Sequence, residues 1–239
     1  MSTEVPRIMG IGAHPDDLEL LCAGTLAAYR ARGQEVTMCH IASGNLGATA
    51  GHPVQIADRR AAEASAGAAV IGATHISLGF DDGRVDASSE LQKRALVDAI
   101  RRARPDVIIT HTPDDYMEDH NQASRLAFAA SFLATLPLYD SPYDHLESVP
   151  ALIYMDSLSG LGFEPTEFVD ISTHLDTKLE MMRAHTSQLD WLDDHDGMNA
   201  LDQITTVAAF RGLQSGVKYA EAFRPCLSHL RARTSRLLP

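Results

Sequence analysis

Apolar positions along the chain alternate between two spacings. Residues 7–12 form a short apolar run closed by Gly12, as a strand buried on both faces would be, and an Ala/Leu-rich stretch over 22–31 follows it, ended by Gly33 in the manner of a helix C-terminus. The alternation recurs, with a strand over 35–42, a helix over 56–71, a strand over 75–79, a helix over 90–102 and a strand over 106–111. A helix over 121–136, strands over 151–157 and 167–171, and a helix over 173–185 come next. A helix over 202–213 and a short strand over 219–223 complete a less regular final third. Strands alternating with helices predict an α/β fold, a mostly parallel sheet covered on both faces in a three-layer sandwich. No internal repeat or linker-like tract interrupts the pattern, so residues 1–239 read as a single domain.

Composition narrows the function classes. The formal net charge of −12 argues against nucleic acid, whose binding draws on Lys and Arg set against phosphates. Arg101, Arg102 and Arg104 cluster at the end of an amphipathic segment, where the helix dipole accounts for them, and Arg231, Arg233 and Arg236 read as a solvated tail. The first seven residues lack the features of a signal peptide, and no run approaches the roughly 20 apolar residues that span a bilayer, so no membrane partner is expected. Cys22, Cys39 and Cys226 have no CxxC spacing. Buried free thiols in a reducing, cytoplasmic compartment are expected.

In an open α/β sheet, ligands bind beyond the carboxyl ends of the strands. The loops after the first, second and fourth predicted strands carry 14–19, 43–51 and 112–120, the segments richest in Asp, His and Gly. The strongest signal is Ala13-His14-Pro15-Asp16-Asp17-Leu18-Glu19, an imidazole and two adjacent carboxylates directly after a buried strand. Burying such charge requires a cation or a helix N-terminus in compensation. Capping by Asp16 or Asp17 would explain an aspartate but not His14. Gly10 and Gly12 begin a dinucleotide-like pattern, but its third glycine would fall at Pro15 and two acids would face a pyrophosphate.

A second cluster, 114–120, opens the helix after the fourth strand and adds His120. Two histidines and one carboxylate, with further positions left open, are the ligand set of a hydrolytic zinc site, and His14, Asp17 and His120 satisfy that count. Asp81-Asp82-Gly83 reads as a turn, and the small-residue gap over 43–52 as either a substrate loop or a plain connection.

The His-Pro-Asp-Asp-x-Glu turn and the later Asp119-His120 resemble the LmbE-like, or PIG-L, N-acetylglucosaminyl deacetylase family. Ser43-Gly44-Asn45-Leu46-Gly47, Arg60-Ala61-Ala62-Glu63, His185-Thr186-Ser187-Gln188 and Tyr219-Ala220-Glu221-Ala222-Phe223 are similar to family blocks in the same order. The resemblance implies a Rossmann-like fold, one divalent metal per chain, usually zinc, and hydrolysis of an N-acyl bond on an amino sugar or related small molecule. It assigns the metal to His14, Asp17 and His120, the general base to Asp16 and a place in the substrate pocket to Arg60, whose alternative is a charge on the helix surface. In that chemistry the metal acidifies water and polarises the amide carbonyl, while Asp16 takes a proton from the water and passes it to the leaving amine. Asp119 is a candidate to orient an imidazole, or an ordinary acid in a helix's first turn.

One position departs from the family pattern. Many members have a histidine three residues before the final ligand, where this chain has Met117, which cannot donate a hydrogen bond to an oxyanion. Either the metal alone then polarises the carbonyl, or a group such as Tyr116, His111 or His185 substitutes, with His185 as a pocket residue. The competing readings are a catalytically silent small-molecule binder on the same scaffold and a two-metal phosphoesterase, which would need further bridging carboxylates. The resemblance also suggests a homo-oligomer, to which the apolar stretch over 128–138 would contribute either an interface or simply core.

Overall fold

The computed structural model describes residues 5–232; Arg233, Arg236 and the first four residues lie outside them. Among the described residues seven strands, β1 (Ile8–Gly12), β2 (Val36–Ala42), β3 (Thr74–Phe80), β4 (Val107–Thr110), β5 (Ala151–Met155), β6 (Glu167–Asp170) and β7 (Ala220–Pro225), form one sheet in the order β3-β2-β1-β4-β5-β7-β6. β1 to β5 pair in parallel, whereas β7 runs antiparallel to both β5 and β6. The helices are α1 (Asp17–Leu21), α2 (Ala23–Ala31), α3 (Pro53–Val70), α4 (Glu90–Ala103), α5 (Glu118–Leu133), α6 (Leu175–Arg183), α7 (Thr186–Asp196) and α8 (Ala200–Ser215).

Alternating strand residues feed two cores. Ile8, Val36, Met38, Val107 and Ile109 pack with Leu26 of α2, Met181 of α6 and Ile204 of α8 on one face, while Met9, Ile11, Cys39, Ile41 and Ile108 pack with Leu96 of α4 and Leu126 of α5 on the other. Because the side-chain period of a strand is two, buried faces on both sides require the continuous apolar runs seen in the sequence. Helix ends follow local chemistry. Ser89 accepts from the Gln92 amide at the start of α4, and Asn199 accepts from the Leu201 and Asp202 amides at the start of α8, which Gly216 closes at φ 77°. The result is an α/β three-layer fold, and no helix among the described residues is long and apolar enough to cross a membrane.

Two arginine expectations are corrected here. Arg101 does not serve its own helix end; its buried guanidinium donates to the carbonyls of Ala134, Leu136, Tyr139 and Tyr143, tying the chain after α5 to α4. Arg231 is not part of a solvated tail. It is buried over the Phe128 ring and donates to Pro150 O, Phe128 O and Ser131 Oγ. Cys22, Cys39 and Cys226 are free and buried.

Candidate active site

The strand order reverses between β1 and β4, so their following loops open into the crevice where open α/β sheets bind ligands. That crevice is a cleft of about 440 Å³ lined by residues that include His14, Asp16, Asp17, Arg60, Tyr116, Met117, Asp119 and His120. Gly12 makes the turn possible, since a Cβ there would lie 3.1 Å from Asp17 Cβ and 3.2 Å from the His40 ring. The glycine thus serves close packing of the returning chain and not a phosphate.

Asp17 sits at the centre. Its Oδ2 accepts from the His14 amide at 2.7 Å and lies 3.0 Å from His111 Nε2 and 3.7 Å from His14 Nδ1, while its Oδ1 lies 3.3 Å from His120 Nε2. One ligand atom each from His14, Asp17 and His120 falls within 4.8 Å of the other two, about the spread that a cation with ligands at roughly 2.1 Å requires once they close on it. The far nitrogen of each imidazole is held by a carboxylate: His14 Nε2 by Asp119 at 3.0 Å and His120 Nδ1 by Asp115 at 3.0 Å. Asp119 is itself fixed by the Gly83 and Val85 amides.

The electrostatics match a cation. Burial alone would depress both histidines, but Asp119 and Asp17 raise His14 to about 10, and Asp17 and Asp115 raise His120 to about 9. Burial would raise Asp17, yet His120 and His111 hold it well below the usual carboxylate range. His120 Nε2 is buried with no hydrogen-bond partner, an orphan that a metal ion would satisfy. On these observations the three residues fit a divalent cation. A second set, His111, Asp115 and His120, shares His120 with the first.

Asp16 does not act as a helix cap. It stands at the N-terminus of α1 with φ 132° and makes no capping hydrogen bond; its Oδ2 lies 3.1 Å from Arg60 Nη2. Burial raises its carboxyl to about 6 against the opposing pull of Arg60. Arg60 is buried, donating also to Pro15 O at 2.6 Å and Gly44 O at 3.3 Å, so it is a cleft residue and not a charge on the helix surface.

Three candidates stand open in place of Met117, and the fold separates them. Tyr116 borders the cleft, edge-on to His120 at 5.7 Å. His111 is fully buried and stacked on His120 at 4.0 Å. His185, expected in the pocket, is not among the lining residues; it is fully buried, 3.2 Å from the equally buried Glu19. Gly67 leaves room for that pair, because a Cβ there would lie 2.9 Å from Glu19 Oε1 and 3.2 Å from His185 Nε2. The correction has a simple origin: a buried ion pair needs a partner distant in sequence, and nothing local to His185 identifies one.

Sequence reasoning gave no role to Asp115 and read 81–83 as a plain turn. In the structure Asp82 accepts from the Gly44 and Leu46 amides and Asp81 from Asn45 Nδ2, so this turn pins the loop after β2 to the cleft rim. A signal existed for Asp115, a carboxylate five residues before a candidate ligand, but its neighbours Asp114 and Glu118 offered the same chemistry.

A family model described as PIG-L, GlcNAc-PI de-N-acetylase, matches residues 9–131. The chain belongs to the PIG-L family. Across the LmbE-like, PIG-L deacetylases, a diacetylchitobiose deacetylase of Thermococcus kodakarensis is 29% identical over 236 residues, covering 92% of this chain and 83% of its own. A conserved protein of Thermus thermophilus superposes with a TM-score of 0.81 at 29% identity, covering 97% of this chain and 99% of that one. A 4-carboxy-2-hydroxymuconate hydratase of Pseudomonas putida also reaches 0.81, at 20% identity and covering 96% and 100%, which shows the fold alone. Since one architecture hosts both names, activity has to be argued from the side chains.

Proposed function

We propose that the chain acts as one domain, a metal-dependent N-deacetylase that hydrolyses the N-acetyl amide of an amino sugar or related small molecule. His14, Asp17 and His120 would hold the ion, with zinc as the expected metal. The observation that carries the reading is the juxtaposition of this ligand set with a buried, non-capping carboxylate, Asp16, in the same cleft. A binder has no chemical need for such a group.

When bound, a zinc ion would supply Lewis acidity to the amide carbonyl and make water more acidic. The protein's own groups do the rest. Asp115 and Asp119 fix the imidazole tautomers, leaving His120 Nε2 and His14 Nδ1 as ligand atoms. Asp16 takes a proton from the attacking water and returns it to the leaving amine, and Arg60 keeps that carboxylate oriented. Tyr116, which lines the cleft, donates to the developing oxyanion in place of a histidine at 117.

The test pairs elemental analysis with amine release from N-acetylglucosamine derivatives on wild type and Asp16→Asn. Both should bind about one zinc, and the variant should lose roughly 10²- to 10⁴-fold in rate. Metal retained without amine release from wild type would restore the binder reading, and two metals with phosphatase activity the phosphoesterase.

A further inference from the structure

The cleft holds more than a ligand set. Its outer wall comes from α7 and the loops after β2 and β5, through Trp191, Leu46 and Leu158, and the loop before α5 adds Tyr116 to the lining. At about 440 Å³ it has room for an amino sugar and a further group of similar size. The charged side chains that line the cleft are mostly acids. Asp82, Glu118 and Asp196 line it, and Arg60 is the only Lys or Arg among the described lining residues. Arg60 is already committed to Asp16, Pro15 O and Gly44 O. An anionic substituent on the substrate would therefore meet the Glu118 carboxylate, those of Asp82 and Asp196, which are held by the Gly44 and Leu46 amides and by His195, and no uncommitted Lys or Arg.

Resting on the deacetylase reading, we propose that the substrate is an N-acetylated amino sugar whose second half is uncharged and aromatic or apolar, seated against Trp191, and that sugars bearing phosphate or carboxylate are rejected. Trp191 is suited to this because an indole offers a large flat apolar surface, and its ring is braced by stacking on His195 at 4.2 Å with an interplanar angle of 18°. It is also the chain's single tryptophan, so its fluorescence reports occupancy of this wall without reference to turnover.

Three probes separate the terms in the zinc-loaded full chain: N-acetylglucosamine, its phenyl β-glycoside and its 1-phosphate. The phenyl glycoside should exceed the free sugar by roughly three- to tenfold in kcat/KM, the worth of an aromatic contact. The 1-phosphate should fall about tenfold or more below it. Trp191→Leu should remove the phenyl preference, and Asp196→Lys should narrow the deficit of the phosphate. The phenyl glycoside, and not the phosphate, should perturb Trp191 fluorescence saturably in Asp16→Asn. A phosphate hydrolysed as well as the phenyl glycoside, or a phenyl preference that survives Trp191→Leu, would overturn the inference. Fluorescence saturation by the phenyl glycoside with no amine released from any probe would uphold the cleft assignment while the deacetylase reading alone fell.

Discussion

Asp16 combines two costly features, a non-glycine backbone at φ 132° and a buried carboxylate. A backbone of this kind costs on the order of 1–3 kcal/mol and persists only where the surroundings over-determine it, here through the Leu20 amide donating to Asp16 O and the Arg60 contact. The neighbouring acids have quieter tasks. Replacing Asp115 by Asn leaves His120 Nδ1 without its carboxylate, and zinc affinity measured by chelator competition should fall roughly 10- to 100-fold. Tyr116→Phe removes the proposed oxyanion donor but no ligand, so kcat should drop about 10²-fold with zinc content unchanged. An unaltered kcat would remove Tyr116 from the mechanism.

At the scale of elements, one side chain of α4 holds the segment that follows α5. Arg101 satisfies four backbone carbonyls of the segment after α5, and Arg101→Met removes the donor from the buried Ala134 carbonyl and from three half-buried ones. Stability should fall by about 2–4 kcal/mol in urea denaturation, whereas Arg102→Met, on the same turn but exposed, should stay within roughly 0.5 kcal/mol. The elements themselves differ in how legible they are. β1, β2 and β4 announce themselves as apolar runs because both their faces are buried, and the helix predicted over 90–102 is Glu90–Ala103 in the structure. α7 escapes such reading. Its sequence is acid-rich and buries only Gln188, so it carries no helical stripe, although it supplies a wall of the cleft.

For the molecule as a whole, acid stability is set partly by a buried histidine that does not line the cleft. His40 is fully buried on β2 beside His75, and burial lowers it from 6.5 to about 3. Between those values the unfolded chain binds a proton that the folded protein refuses, so stability is complete above about 6.5 and is lost as pH falls through this window. From pH 7 to pH 5 this one group should contribute a loss of about 2 kcal/mol. His40→Phe, whatever its stability at pH 7, should lose correspondingly less over the same interval in urea titrations. Equal losses in the two proteins would assign the acid sensitivity elsewhere.

Most of the order of strands and helices, though not α7, and the gathering of His14, Asp16, Asp17 and His120 at one end of the sheet were written in local patterns, because periodicity, glycine closure and burial of whole strands are short-range properties of a chain. Which partner each charged group meets was not. Asp119 reaches His14 across 105 positions, Arg60 reaches Pro15 across 45, Glu19 is paired with His185, and Arg231 folds onto Phe128 instead of into solvent. Asp114, Asp115 and Glu118 stood beside Asp119 with the same chemistry, and nothing near Arg60 or Arg231 marked a distant carbonyl. Only packing in three dimensions selects among them, since a buried charge is stable only against the particular group that the fold brings within hydrogen-bonding distance.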